Sequence, residues 1–109
     1  MKLLTKAILK NLPKLYSTDN IPLAEKVAVL KIFDPCGRFT AYFFEGEVQE
    51  DGDVSFFGFV VSPLGPDCDE MGYSSLRELE GVRNRLGLPL ERDLHFRPTK
   101  MGELLKEAA

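Results

Sequence analysis

The sequence is poor in the residues that build metal and disulfide sites. It has no tryptophan, one histidine, His95, and two cysteines, Cys36 and Cys68, which belong to no Cys-x-x-Cys pair. Zinc sites need closely spaced cysteine and histidine ligands, so this spacing disfavours a structural zinc site. We predict no metal and no cofactor. In a reducing cytosol, two free thiols are favoured over a disulfide, although the sequence leaves open whether the cysteines are close in space.

Long apolar runs are also missing. The longest, from Phe56 to Val61, is far shorter than the roughly 20 residues that a transmembrane helix needs. Lysines at positions 2, 6 and 10 interrupt the apolar residues of the N-terminus, so no signal-peptide core can form there. We therefore expect a cytoplasmic protein that has no membrane partner.

Basic residues are absent between Phe39 and Leu76. That segment carries eight acidic residues: Glu45, Glu47, Glu50, Asp51, Asp53, Asp67, Asp69 and Glu70. A segment of one sign predicts a negative part of the surface, and we interpret it as an acidic docking patch for a basic partner protein. A solvated hairpin tip and loop is the plainer alternative. The acids do not have the spacing of a calcium-binding loop, so no metal is predicted here.

The remaining composition predicts one globular domain, residues 1–109, with an apolar content of 44%. Apolar residues at spacings of three and four predict a short N-terminal helix, which Thr5 caps and Pro13 ends. A second helix is predicted near 75–86, where a capping box begins it, and Thr99 is predicted to cap a short last helix.

Three runs separated by turn residues predict a β-meander: Lys26 to Phe33, Arg38 to Val48 and Asp53 to Val61. The proline- and glycine-rich segment 62–72 predicts a loop, and alternating apolar residues from Leu88 to Phe96 predict a fourth strand. The predicted fold class is therefore α+β, with a mainly antiparallel sheet of about four strands flanked by helices.

In the second and third strands, both faces carry apolar residues, whereas a sheet with one wet face would alternate. We expect both faces to be covered by helices, by the termini or by another subunit. The last alternative would make the protein a homodimer.

Several short motifs follow one another along nearly the whole chain. They are Met1-Lys2-Leu3-Leu4-Thr5-Lys6, Leu12-Pro13-x-Leu15-Tyr16, Phe57-Gly58, Gly72-Tyr73-x-Ser75-Leu76-x-Glu78-Leu79-Glu80 with Arg83, and Gly87-Leu88-x-x-Glu91-Arg92-Asp93-Leu94 with Phe96 and Pro98. In this order they resemble the domain-of-unknown-function family 2958.

The resemblance implies a bacterial plasmid or other mobile element, near conjugation and antirestriction genes, and implies no activity. It also makes Tyr73 and Arg83 candidate surface residues. Ser74 stands where an aromatic residue is expected, which weakens the idea of an aromatic recognition cluster.

Arg92 shares its strand parity with apolar neighbours, which would direct its guanidinium toward the apolar side. A buried arginine needs an acceptor, and Glu78 or Glu80 of the preceding helix is the proposed one. An ion pair that locks helix to sheet is favoured over an anion-binding or catalytic arginine.

Glu91, Asp93 and His95 would then share the opposite face of that strand. Two carboxylates beside an imidazole are capable of metal binding or general acid/base catalysis, but a solvated polar face is the favoured interpretation. No serine or cysteine has a histidine and an acid at triad spacing, which disfavours nucleophilic catalysis.

Three functions remain open at this point. The favoured hypothesis is a non-enzymatic accessory or regulatory protein of a mobile element that acts by binding another protein. The first alternative is a nucleic-acid-associated regulator using Lys6, Lys10 and Arg85, against which the pI of about 5.2 counts. The second is a small metal-assisted hydrolase using Glu91, Asp93 and His95.

Overall fold

The computed structural model describes residues 2–108, with the side chains of residues 2–106. Over this part of the chain the fold is α+β. It consists of a five-stranded antiparallel sheet, a second sheet of two strands, and three short helices. No helix within it is long and apolar enough to cross a membrane.

The helices are α1, Lys6–Asn11, α2, Leu76–Gly81, and α3, Met101–Ala108. Two of them begin at the caps that the sequence predicts. Thr5 Oγ1 accepts a hydrogen bond from the N–H of Ile8 at 3.2 Å, and Ser75 Oγ accepts one from the N–H of Glu78 at 3.1 Å. Each hydroxyl satisfies an amide that the first helical turn leaves unpaired.

The strands are β1, Val27–Ala28, β2, Leu30–Phe33, β3, Thr40–Val48, β4, Val54–Val61, β5, Glu70–Ser75, β6, Glu91–Arg92, and β7, Thr99–Lys100. The large sheet has the order β5-β4-β3-β2-β6, and β1 pairs with β7 in the small one. The predicted meander is confirmed as β2-β3-β4, although its first strand is divided between the two sheets.

Both faces of the large sheet are covered by the chain's own elements, one of the predicted arrangements. The first cluster joins the sheet to the N-terminal segment, α1 and α2, and its buried residues are Leu3, Leu12, Leu30, Ile32, Ala41, Phe43, Val54, Phe56, Leu79 and Leu90. The second joins the opposite face to α3, and its buried residues are Ala28, Phe44, Met101 and Leu104.

A β-bulge in β3 explains why consecutive phenylalanines are both buried. The pairing with β4 shifts register between Phe43 and Glu45. Phe43 therefore packs in the first cluster and Phe44 in the second, while Glu45 lies opposite Phe57. An extra residue in one strand redirects the side chains that follow it, which is what brings Glu45 onto the face of Phe44.

Gly58 is the residue that lets β3 and β4 approach closely. A Cβ added there would lie 1.9 Å from the carbonyl oxygen of Tyr42 and 2.8 Å from the Cα of Phe43. Both obstacles are backbone atoms, so no side-chain rotation would relieve the clash, and only glycine fits.

The loop predicted over 62–72 contains more regular structure than its composition suggested. A 3₁₀ turn forms at Pro66–Cys68, a counterpart to the one at Leu23–Glu25, and β5 begins at Glu70. Because β5 pairs with β4 along its whole length, the tertiary contact outweighs the weak strand propensity of glycine and serine.

The predicted helix near 75–86 and the predicted fourth strand are both shorter than expected. α2 ends at Gly81, and the Asn84 side chain accepts hydrogen bonds from the N–H groups of Leu86 and Leu88, which fixes a turn. Leu86, which lies within the predicted helix, is consequently exposed. The fourth strand is reduced to β6, because Asp93 accepts from the N–H of His95 and turns the chain.

Candidate interaction surface

Tyr16 has a backbone conformation that non-glycine residues seldom adopt. Its φ is 67°, in the left-handed region, which costs an L-residue with a Cβ about 1–2 kcal/mol. Its N–H donates to Glu45 Oε1 at 2.9 Å, and the N–H of Leu15 donates to Glu47 Oε1 at 3.2 Å. The two carboxylates of β3 thus hold the loop that follows α1 in this conformation.

Glu45 is the anchor of this loop. Only 3% of it is exposed, and its second oxygen, Oε2, accepts from the N–H and the hydroxyl of Thr18. Lys26 supports the same turn, since its Nζ donates to the carbonyl of Thr18 at 2.7 Å and lies 5.2 Å from the centre of the Phe44 ring. A buried carboxylate with several donors is well satisfied and fixes its surroundings rigidly.

The loop presents the Tyr16 ring beside Tyr73 of β5. The Tyr73 hydroxyl donates to the Tyr16 hydroxyl at 2.9 Å, and the ring centres are 6.4 Å apart. Tyr73 also packs on Phe57, with ring centres 4.6 Å apart, and Phe57 meets the buried Phe44 edge-on at 5.6 Å. A row of rings therefore runs from the core to two exposed tyrosines, of which 64% and 54% of the surface is accessible.

The charges of two carboxylates, Glu45 and Asp19, act on the Tyr73 hydroxyl. The hydrogen bond to Tyr16, together with desolvation and the charges of Tyr16, Glu45 and Asp19, raises the pKa of Tyr73 to about 12. Carboxylates that oppose formation of a tyrosinate would equally attract a cation. Aromatic faces attract cations as well, so the two effects act in the same direction here.

Strand β5 forms one edge of the large sheet, and among residues 2–108 its one pairing strand is β4. Tyr73 lies within it, opposite Phe57. We call this surface, formed by Tyr16, Tyr73 and β5, the tyrosine edge. The surface offers two rings, the outward backbone groups of an edge strand and nearby carboxylates, all of which can take part in binding.

The eight acids of the predicted docking patch do not form one continuous free surface. Glu45 is buried, and Glu47 bonds the loop after α1. Arg77 contacts the hairpin tip, donating from Nη2 to the carbonyl of Asp51 and from its N–H to Asp53 Oδ1. Three of the eight acids, Glu50, Asp67 and Glu70, are exposed and form no ion pair with another described residue.

Asp69 belongs to a structural ion pair. Its two oxygens accept from Nη1 and Nη2 of Arg38 at 2.7 and 2.8 Å, and Oδ1 also accepts from the N–H of Ser62. These hydrogen bonds, those of Arg38 first, hold the pKa of Asp69 below its ordinary value. The pair ties the start of β5 to the turn before β3.

Arg92 lies opposite Ile32 in the β2–β6 pair, on the face of the first cluster. Its Nη1 donates to the backbone carbonyl of Lys2 at 2.7 Å. Among the ion pairs of the described side chains there is none between Arg92 and Glu78 or Glu80. The guanidinium therefore holds the N-terminal segment against β6, a role that sequence parity alone did not indicate.

Glu91, Asp93 and His95 do not converge as metal ligands. Asp93 instead faces Lys31, with 3.4 Å between Oδ2 and Nζ. The hydrogen bond from the N–H of His95, and to a smaller extent Lys31, lower the pKa of Asp93. In the part of the chain that the structure covers, no three histidine, cysteine or acidic side chains form a metal-holding group.

Arginines line a separate groove of about 670 Å³ beside the turn at Asp34. Arg38 is engaged by Asp69, and Nη1 of Arg83 donates to the carbonyls of Glu80 and Val82. Lys6 and Lys10 are not among the residues lining this groove. The basic side chains of the nucleic-acid hypothesis thus do not share a single groove.

Sequence reasoning selected Tyr73 but missed Tyr16 and the structural role of Glu45. The conformation of Tyr16 depends on a carboxylate 29 positions away in the chain, and no local pattern signals such a contact. The Leu12-Pro13-x-Leu15-Tyr16 motif includes this residue but does not indicate its conformation.

A family model described as Protein of unknown function (DUF2958) matches residues 3–109. Comparison with curated proteins and with solved structures gives no match.

Proposed function

Since the chain belongs to the family described as Protein of unknown function (DUF2958), we propose a function from its surface: it is a non-enzymatic accessory or regulatory protein that binds a basic partner protein at the tyrosine edge. A mobile genetic element in the cytoplasm of a bacterium is the setting that the resemblance implies. The proposal concerns a protein partner rather than a nucleic acid.

The observation that carries the proposal is the strained display of Tyr16. A conformation that costs about 1–2 kcal/mol persists only where its surroundings impose it, and such residues are frequent at binding sites. Here a buried carboxylate imposes it, and the result is an exposed ring rather than a buried one.

The charges around the surface support a basic partner. Asp19 and Glu45 act on Tyr73, Glu70 is exposed at the start of β5, and no lysine or arginine occurs between Phe39 and Leu76. A lysine or arginine docked over the tyrosine rings would gain about 0.5–1 kcal/mol at an exposed site from each well-placed ring. The negative potential would also accelerate its association.

The test is a calorimetric titration of the protein with two capped hexapeptides. One alternates arginine with valine, and the other alternates glutamate with valine. We expect saturable binding of the arginine peptide and none of the glutamate peptide. The double variant Tyr16→Ala with Tyr73→Ala should bind the arginine peptide about tenfold more weakly, as the loss of two ring contacts predicts.

Leu64→Ala provides the matched control, because Leu64 is also a large exposed apolar residue, 83% accessible, and lies outside the tyrosine edge. It should bind like the unaltered protein. Equal affinity for both peptides, or equal losses in the double variant and the control, would show that the proposal is wrong. Salt-sensitive binding of duplex DNA that is lost in Arg85→Glu but kept in the double variant would replace it with the nucleic-acid hypothesis.

A further inference from the structure

The two edges of the large sheet differ in how they are protected against further pairing. β6 is two residues long and ends where the chain turns at Asp93. β5 is six residues long, contains no proline and no lysine, and has Glu70 as its single charged residue. Proteins usually protect sheet edges by shortness, charge, proline or bulges, and β5 has little of this protection.

The pairing pattern identifies which backbone groups of β5 point outward. The N–H of Gln49 donates to the carbonyl of Asp53, whereas the N–H of Gly46 points the other way, to Pro13. Backbone groups alternate in direction along an antiparallel strand, so the N–H and C=O groups of the even-numbered residues of β4 point toward β5. These residues lie opposite Glu70, Gly72 and Ser74, so the N–H and C=O groups of Met71 and Tyr73 point away from β4. No further strand of the described chain pairs on that side.

The outer side of β5 carries no other strand of the described residues. The sheet face opposite the tyrosine rings is open at Gly72, where an added Cβ would meet no atom within 4 Å. The side chains of Met71 and Tyr73 lie on the face of Phe59 and Phe57, their partners in β4. A strand added beside β5 would lie about 4.7–4.9 Å away, so every second side chain of that strand would be next to the tyrosine rings.

The charges select the occupant. A second copy of this chain would bring to the edge its own β5, which contains no lysine or arginine to pair with Glu70. A segment carrying lysine or arginine would meet opposite charge instead. Charge complementarity therefore favours a basic segment of a different protein over self-pairing.

From these observations we infer that the partner supplies an extended basic segment, which adds to the large sheet as a sixth strand along β5. One of its basic side chains lies over the rings of Tyr16 and Tyr73, and its backbone bonds the outward groups of Met71 and Tyr73. This inference rests on the proposed function, because it specifies how the same surface binds its partner.

The first test compares the arginine–valine hexapeptide with a version methylated on alternate backbone nitrogens. Methylation keeps the charge and the side chains but removes the N–H donors that strand pairing requires. The methyl groups lie on one set of alternate backbone nitrogens in the first version and on the other set in the second. The version methylated on the N–H groups facing β5 should bind about tenfold more weakly, and the other should bind nearly as well as the unmodified peptide.

The second test uses two substitutions at one position. Met71→Pro removes an outward N–H, which an edge strand tolerates, and Met71→Ala shortens the side chain while keeping that N–H. Both variants should keep the thermal stability expected of an intact sheet. The affinity of Met71→Pro for the arginine–valine hexapeptide should be about tenfold lower than that of Met71→Ala. Amide hydrogen exchange at Met71 and Tyr73 should slow when the unaltered protein is saturated with peptide.

The outcomes separate this inference from the proposed function. If the arginine peptide binds and depends on the tyrosines, but both methylated versions bind alike and the two amides are not protected, strand addition is wrong and the proposed function stands. If no arginine peptide binds, both fail. If the protein alone sediments as a dimer with these amides protected, a second copy occupies the edge and the inference is overturned.

Discussion

At the scale of single residues, the fold after α1 depends on one carboxylate. Glu45 accepts hydrogen bonds from the backbone of Tyr16 and Thr18 while it is almost fully buried. The bulge at Phe44 turns this carboxylate onto the face where those amides lie. The exposed position of the Tyr16 ring is thus a consequence of a register shift in β3.

Glu45→Ala should remove that anchor. The amides of Tyr16 and Thr18 would lose their acceptor, and each unsatisfied buried group costs about 1–3 kcal/mol. We expect a loss of this order in urea unfolding. Glu50→Ala, at an exposed acid in the same part of the chain, should change stability by no more than about 0.5 kcal/mol. Equal effects of the two substitutions would refute the anchoring role of Glu45.

Tyr16→Phe should change the titration of Tyr73. The hydrogen bond to Tyr16 is the largest cause of the raised pKa, about 12, so its removal should return the pKa of Tyr73 toward about 10. A folded pKa above the unfolded one means that the hydrogen bond stabilises the fold below pH 10 and is lost as pH rises through 12. Tyrosinate absorbance against pH measures this, and Tyr42→Phe provides a control that should leave the Tyr73 transition in place.

Hydrogen bonds between residues close in sequence were predictable, and those between residues distant in sequence were not. The caps at Thr5 and Ser75 follow from a hydroxyl three positions before the amide that it binds. The partners of Glu45 and Arg92 are 29 and 90 positions away, so only the folded chain brings them together. Tyr73 could be selected from the sequence, whereas its hydrogen-bond partner Tyr16 could not.

At the scale of elements, β3 and β4 form the centre of the sheet, and their contact depends on Gly58. The turn chemistry at both ends of these strands predicted them correctly. β5 was missed because its own residues, Gly72 and two serines among them, have little strand propensity and depend on β4 for pairing. α2 was predicted too long because the turn fixed by Asn84 depends on side-chain hydrogen bonds that periodicity does not reveal.

Gly58→Ala should therefore be severely destabilising, by about 3 kcal/mol or more, since its Cβ would meet the backbone of Tyr42 and Phe43. Gly72→Ala is the matched control, because Gly72 lies directly opposite Gly58 in the β4–β5 pair and its Cβ would meet open space. Thermal unfolding of both variants should show a large loss for the first and at most a small change for the second. Similar melting temperatures would contradict the close approach of β3 and β4.

At the scale of the whole molecule, the uneven charge is partly balanced inside the fold. Arg38 and Arg77, from segments on either side of the acidic stretch, neutralise Asp69 and the hairpin tip. Glu70 remains exposed at the start of β5. The acidic composition of the segment could be read from the sequence, whereas the pairing of Asp69 and the hairpin tip with arginines could not.

The ion pair of Asp69 should make the fold sensitive to acid. Its folded pKa lies below the ordinary value of 3.8, so the pair stabilises the protein at neutral pH and this contribution is lost as pH falls through the folded pKa. Asp69→Asn should lower the melting temperature at neutral pH, and its difference from the unaltered protein should narrow in acid. Asp67→Asn, at an exposed position, should leave the melting temperature nearly unchanged at every pH.

The tyrosine edge as the site of partner binding is most directly tested by recording the backbone amide resonances of the labelled protein during titration with the arginine–valine hexapeptide. We predict saturable shifts that cluster in β5 and in the loop around Tyr16, with the residues of the arginine groove unchanged. Shifts centred on Arg83 and Arg85, or no saturable shifts at any residue, would contradict the assignment of this surface as the binding site.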